Sequence, residues 1–132
     1  MVIFLDTSAI YALADRDDSN HPRAKQLFAQ AAQPGVTFLL HNYILAESSA
    51  LLTRRLGRPA ALRFLNETKE FKIRWIDEAL HQDALLKWKT SPAKVSFVDQ
   101  VSFMVIREAK TKQVFAFDDD FRKEGFEIYS PQ

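Results

Sequence analysis

Cysteine is absent from the 132-residue chain, which excludes a disulfide framework, a thiolate nucleophile and a Cys-ligated zinc or iron–sulfur centre. That absence suits a reducing cytoplasm without requiring one. Glycine is scarce: Gly35, Gly57 and Gly125 stand far apart. The chain therefore lacks both the Gly-rich phosphate turn of a nucleotide-binding dehydrogenase and a P-loop. Neither sign of charge prevails, since eighteen Lys and Arg face seventeen Asp and Glu for a formal net charge of +1. If nucleic acid is the ligand, local basic patches and metal ions must offset phosphate repulsion, because bulk charge does not. Long apolar runs are missing too. The apolar start, Met1 to Leu5, is interrupted by Asp6, too soon for a signal peptide, and nothing approaches the about 20 apolar residues of a membrane helix. The expectation is a soluble, cytoplasmic protein with no membrane partner.

What the chain does have is apolar mass. Hydrophobic residues make up 47% of it and eleven residues are Phe, enough for a packed core in one compact domain spanning 1–132. Apolar Met1–Leu5 followed by Asp6-Thr7-Ser8 reads as a buried strand running into a helix, with Ser8 or Thr7 as its cap. A second helix enters at His21-Pro22 and runs to about residue 32. Pro34-Gly35 breaks the chain before a short strand, Val36–Leu40. Asn42–Leu56 reads as a long amphipathic helix ended by Gly57, and Pro59 opens another that reaches about Glu70. The alternation of Phe71–Ile76 predicts a strand with one exposed side. Helices follow at Glu78–Lys89 and Phe97–Lys110, then strands at Val114–Phe117 and Phe126–Tyr129. Strands alternating with helices predict a three-layer α/β/α sandwich around a mainly parallel sheet. In such folds ligands bind beyond the carboxyl ends of the strands.

Carboxylates gather at those ends. Asp6 and Asp118 each follow an apolar strand directly (VIFLD and VFAFD), so a parallel sheet brings both to one rim, where they repel unless a cation lies between them. Capping of the next helix explains either one alone. Glu47 lies three residues after Ile44 and four before Leu51, which predicts a place on or beside an apolar helix face and hence a partner for its charge. Asp99 borders the stripe Val98, Val101, Val105 and Ala109, in a first turn that favours a negative charge by itself. Together the acids supply the oxygen ligands that Mg²⁺ or Mn²⁺ prefers. Such an ion can activate water for attack at a phosphoryl group, and no other side chain offers an obvious nucleophile.

The ordered pieces VIFLDTSAI, ILAES, SFVDQVSF and FDDDFRKEGF resemble PIN-domain ribonucleases, in particular the toxins of VapBC-type toxin–antitoxin pairs. The likeness spans essentially the whole chain; each motif is weak alone and the set is specific. It implies a Rossmann-like α/β/α fold and Mg²⁺- or Mn²⁺-dependent endonucleolytic cleavage of RNA. It carries the family's acids onto Asp6, Glu47, Asp99 and Asp118, as catalytic and metal-binding residues. Ser8 matches a small polar residue beside the first acid, and Thr7 and Asp120 join as supporting residues. Asp118 fits the fourth acid better than Asp120 because Phe121 follows at the expected offset, and Asp119 reads as a solvated loop charge. The resemblance further implies a homodimer and a small antitoxin whose tail enters the acidic groove. The helix around Leu51–Leu56 and the one after Pro59 are the dimer surfaces to consider, unless their apolar residues are simply core.

Other readings are weaker. A haloacid-dehalogenase-type phosphatase wants Asp where Ser8 stands, and a receiver wants a strand-end Asp where His41-Asn42 stands. His21, His41 and His81 lack the spacing of a helix-borne zinc site, although His41 follows a strand and so approaches the rim. Arg54, Arg55 and Arg58 can touch phosphate or simply solvate a helix end. Trp75 and Trp88 are expected in the core rather than stacked on bases. A non-catalytic PIN-like binding module, or a nuclease of RNA maturation, are the alternative functions; lack of an antitoxin reading frame beside the gene would favour the latter.

Overall fold

The computed structural model describes residues 1–130. Five strands, β1 (Val2–Leu5), β2 (Thr37–His41), β3 (Lys72–Arg74), β4 (Gln113–Phe115) and β5 (Glu127–Ile128), form one sheet of order β3-β2-β1-β4-β5. All four pairings are parallel. The helices are α1 (Thr7–Ala14), α2 (His21–Ala31), α3 (Asn42–Leu56), α4 (Arg58–Glu67), α5 (Glu78–Trp88), α6 (Phe97–Glu108) and the short α7 (Asp120–Lys123). Ile3, Phe4 and Leu5 in β1 are all fully buried or nearly so, which requires cover on both faces of the sheet. Leu5 faces a recess between α1, α2 and α4, whereas Phe4 packs on Phe121 of α7 and on His41. The sandwich predicted from the alternation of strands and helices is the one observed.

Element ends differ from the sequence reading where local chemistry decides them. The first helix is capped by Asp6, whose carboxylate accepts from the Ser8 N–H, not by Ser8 or Thr7. The helix after Pro59 stops at Glu67 and gives way to a single 3-10 turn, Thr68–Glu70, whose Thr68 hydroxyl donates to the Leu65 carbonyl. α6 ends at Glu108 because Lys110 takes a left-handed conformation (φ 57°). Both tryptophans leave the core: Trp75 is 65% exposed and Trp88 39%. Trp75 follows the short edge strand β3, and Trp88 ends α5, where Phe97 and the Val95 carbonyl meet its ring.

Strand order gives the fold its functional geometry. From β1 the chain adds β2 and β3 on one side, then crosses to place β4 and β5 on the other. β1 and β4 therefore flank the point where the winding reverses, and their following loops diverge to opposite faces, opening a crevice at the carboxyl ends. Phe4 is level with Val114 and Leu5 with Phe115, and the Asp6 N–H continues the ladder to the Phe115 carbonyl at 3.1 Å. No helix is long and apolar enough to cross a membrane among the described residues.

His41 anchors the next element. It is fully buried, and its Nδ1 accepts from the Tyr43 and Ile44 N–H groups, so it caps α3. Nε2 must then carry the proton and donate to Ser102 Oγ on α6, 2.8 Å away. Its approach to the rim is thus a structural one. Burial pushes its pKa down to about 3. The folded state keeps His41 neutral while the unfolded chain protonates it, so its contribution to stability is full at neutral pH and falls as pH drops below about 6.5. His41→Ala should lower stability by roughly 2–4 kcal/mol through the lost cap, the cavity and the orphaned Ser102. A lower urea midpoint at unchanged m-value is the expected readout; an unchanged midpoint would refute the anchoring role.

Candidate active site

Each strand-end acid is held by the turn that follows it. Asp6 is 5% exposed; its Oδ2 accepts from the Ser8 backbone N–H at 3.1 Å and from the Ser8 hydroxyl at 2.7 Å. Ser8 Oγ in turn accepts from the Phe117 N–H at 3.0 Å. One hydroxyl thereby ties the β1 turn to the β4 turn and fixes Asp6 relative to Asp118. Asp118 Oδ1 accepts from the Asp120 N–H at 2.7 Å, an Asx-type turn that folds the loop back so that both side chains face one place. Asp99 belongs to a capping box with Ser96, accepting from the Ser96 N–H and lying opposite a Ser96 hydroxyl that accepts from its own N–H. The box that starts the helix also fixes where the Asp99 carboxyl lies.

Asp99, Asp118 and Asp120 each present an oxygen such that all three lie within 4.8 Å of one another. The motif favours Asp118 over Asp120, yet the turn brings both to the same cluster. Asp119 is exposed and pairs with Arg122, the solvated loop charge expected of it. Glu47 stands apart from the expectation. The buried stripe of α3 is Ile44, Ser48 and Leu52, and Glu47, one step off it, is exposed. Its partner is a hydroxyl, not a cation: Thr7 Oγ1 donates to Glu47 Oε1 at 2.7 Å, and Ser48 Oγ donates to Thr7 Oγ1 at 3.2 Å. Ser48 escaped the sequence reading; a buried serine four residues after Ile44 on an apolar stripe was the available signal.

The electrostatics match a crowd of like charges. Burial lifts Asp6 to about 7 against the lowering effect of its Ser8 hydrogen bonds, and the charges of Asp99 and Asp118 lift it further. Burial also raises Asp99 to about 6, with Asp118 and Asp120 adding to it. Asp120 is raised by desolvation and by Asp118. Among the described residues no ion pair involves Asp6, Glu47, Asp99, Asp118 or Asp120. Hard oxygen donors, crowded and without a basic partner, are a donor set that a divalent cation fits.

A model of the PIN domain matches residues 3–127. The chain belongs to the PIN domain family. The 23S rRNA-specific endonuclease VapC20 of Mycobacterium tuberculosis, from strains CDC 1551/Oshkosh and H37Rv, is 33% identical over 135 residues, covering 99% of this chain and 100% of the relative. The crystal structure of M. tuberculosis VapC20, described as a sarcin-ricin loop cleaving toxin, superposes with a TM-score of 0.88 at 31% identity, over 98% of this chain and 99% of that one. The resemblance read from VIFLDTSAI through FDDDFRKEGF is therefore correct, and the fold is that of a PIN domain.

The remaining surface of this PIN domain sorts out the other side chains singled out in the sequence. Arg55 lies over the Tyr11 ring, 5.1 Å from its centroid. Leu52 is core, whereas Leu56, Leu62 and Leu65 are 38%, 52% and 38% exposed. The recess facing Leu5, of about 420 Å³, is lined by Leu13, Phe28 and Phe64 with Arg16, Lys25 and Arg63 around it, and none of the acids discussed lines it.

The raised carboxyls carry a testable sign. Because the folded pKa of Asp6 exceeds the unfolded value of 3.8, its contribution to stability is present below that value and lost as pH rises towards about 7. Asp6→Asn in metal-free buffer should therefore melt at a higher temperature than the wild type above pH 7, and the gap should close below pH 4. Thermal melts with EDTA across pH 3.5–8 test this; equal melting points at pH 7.5 would contradict a strained, buried Asp6.

Proposed function

We infer that the chain is a divalent-cation-dependent endoribonuclease acting on structured RNA, the toxin of a type II toxin–antitoxin pair. The observation that carries the reading is the meeting of Asp99, Asp118 and Asp120 beside a buried, charge-perturbed Asp6 at the sheet's switch point. Membership of the PIN family and likeness to a 23S rRNA-specific endonuclease support the substrate class, with the loop named for that relative as the first RNA to try. We take residues 1–132 as one domain and the cytoplasm as its place of action.

In this reading Asp6, Asp99 and Asp118 would hold Mg²⁺ or Mn²⁺, with Asp120 adjoining and Glu47 tied through Thr7 to the turn that carries Asp6. The ion, when bound, supplies Lewis-acid stabilisation of phosphoryl charge and makes water nucleophilic. The chain's own part is positional. Ser8 holds Asp6 against the β4 turn, the Ser96 box aims Asp99, and the Ser48–Thr7 pair leaves Glu47 Oε2 free to accept a proton or orient a water. Burial keeps competing solvent away from Asp6 and strengthens every charge interaction there.

A second copy of the chain and a small antitoxin are the expected partners. The exposed Leu56, Leu62 and Leu65 support the first. The apolar recess, where Arg16, Lys25 and Arg63 outnumber Glu67, supports a partner segment with an apolar face and acidic flanks.

Two measurements test the reading. Adding Mn²⁺ to metal-free protein should raise the melting temperature in a saturable way, as binding to the native state alone requires, and Asp118→Asn should abolish most of that shift; no shift in the wild type would remove the cation from the account. Purified protein should also cleave a hairpin carrying the sarcin-ricin loop of 23S rRNA. Asp6→Asn and Asp118→Asn should each lose at least about 10²-fold in kcat while keeping the native circular dichroism spectrum. Intact RNA after incubation with folded, antitoxin-free wild type and either metal would favour a binding module.

A further inference from the structure

The candidate site poses an electrostatic problem that its acids cannot solve. Asp99, Asp118 and Asp120, with Asp6 beside them, would face a substrate that is itself a string of negative charges, in a chain whose formal net charge is only +1. Several arginines are occupied elsewhere: Arg74 pairs with Glu108 and Asp77, Arg107 with Glu124, and Arg122 with Asp119. Lys94 and Lys123 are exposed and enter no ion pair among the described residues.

Both lysines stand next to the acidic cluster on different segments. Lys94 lies two residues before Ser96, whose N–H and hydroxyl hold Asp99. Lys123 follows Asp120 by three residues on α7, so the two share a helix side. The segment bearing Lys94 is also tethered. The Trp88 indole N–H donates to the Val95 carbonyl at 2.8 Å, the Val95 N–H donates to the Pro92 carbonyl at 3.0 Å, and the Trp88 ring meets Phe97 edge-on at 5.7 Å. A cation presented from a fixed backbone loses less entropy on binding than one on a mobile loop. Trp88 keeps 39% of its surface exposed between Lys87 and Lys89, so the basic stretch continues along the end of α5 with an aromatic face in it.

We propose that Lys94 and Lys123 hold the RNA phosphates on either side of the one presented to the carboxylates, making the α5–α6 connection and α7 the backbone-binding rim of the domain. The proposal rests on the nuclease reading and adds the surface that reading lacks. Lysine is a compact point charge without a fixed fork, so this rim grips backbone and leaves the choice of RNA to shape.

The test uses the full chain with Mn²⁺ and the same sarcin-ricin hairpin, measuring kcat/KM over a series of KCl concentrations. Fluorescence anisotropy of the labelled hairpin on the Asp118→Asn protein gives binding without turnover. Lys94→Gln and Lys123→Gln should each reduce the slope of log(kcat/KM) against log salt by roughly one. Each should raise KM several-fold with little change in kcat and an unaltered melting temperature. Lys112→Gln, just before β4 and hence at the opposite edge of the sheet, should leave the slope as it is. Wild-type slopes in both Gln variants, with cleavage intact, would overturn the rim and spare the nuclease. An equal loss in Lys112→Gln would overturn the rim by making the effect one of net charge. A wild type that neither binds nor cleaves the hairpin would overturn both.

Discussion

Like charges pressed together out of water are the constraint around which this molecule is arranged. Burial lifts Asp6 to about 7 and Asp99 to about 6, and the neighbouring acids push in the same direction. Such a cluster costs stability in the metal-free protein, so something must hold the acids together against their repulsion. The first part of the answer is topology: β1 and β4 are paired side by side at the switch point although their first residues, Val2 and Gln113, are 111 positions apart in the chain. The second part is hydrogen bonding: the Ser8 and Thr7 hydroxyls donate to Asp6 and Glu47, and the Ser96 backbone N–H donates to Asp99 while the Ser96 hydroxyl accepts from the Asp99 N–H.

Those hydroxyls do more than satisfy lone pairs. Ser8 joins two turns from opposite halves of the sheet, and the Ser48–Thr7–Glu47 series joins α1 to α3. His41 stands behind this layer, capping the helix that carries Glu47 and fastening it to α6, which carries Asp99. A polar network wholly satisfied at its buried atoms, as here among the described residues, rigidifies what it connects. Preorganisation of this kind is what a site needs when its chemistry is positional and electrostatic.

His41 and Asp6 have opposite proton linkage. Between about pH 4 and 6.5, falling pH weakens the fold through His41 and relieves it through Asp6. The two effects partly offset each other, so the apo protein is buffered against mild acid by the same groups that strain it. A bound cation would replace proton uptake as the means of relieving Asp6, and metal occupancy and stability would then be linked.

Much of this was legible in the chain. Period and punctuation were enough for the order of the strands and of every helix but the one-turn α7, because buried parallel strands are short apolar runs and longer helices carry stripes. Strand-terminal Asp6 and Asp118 marked the rim, because parallel strands end at one edge, and the ordered motifs named the family. Three-dimensional packing settled the rest. Asp120 joins Asp118 through an Asx turn whose direction no local pattern encodes, and Glu47 lies one step off the buried stripe of α3, where the Thr7 hydroxyl of α1 meets it. Trp75 and Trp88 lie at the surface because hydrophobicity says that a ring prefers burial, not whether a layer exists to cover it. Ser48 and Lys94 acquire partners and neighbours only across gaps of about 40 residues or from separate segments. Sequence determines which groups are available and which strand ends they occupy; the distances and charges among them arise when distant segments share one desolvated space.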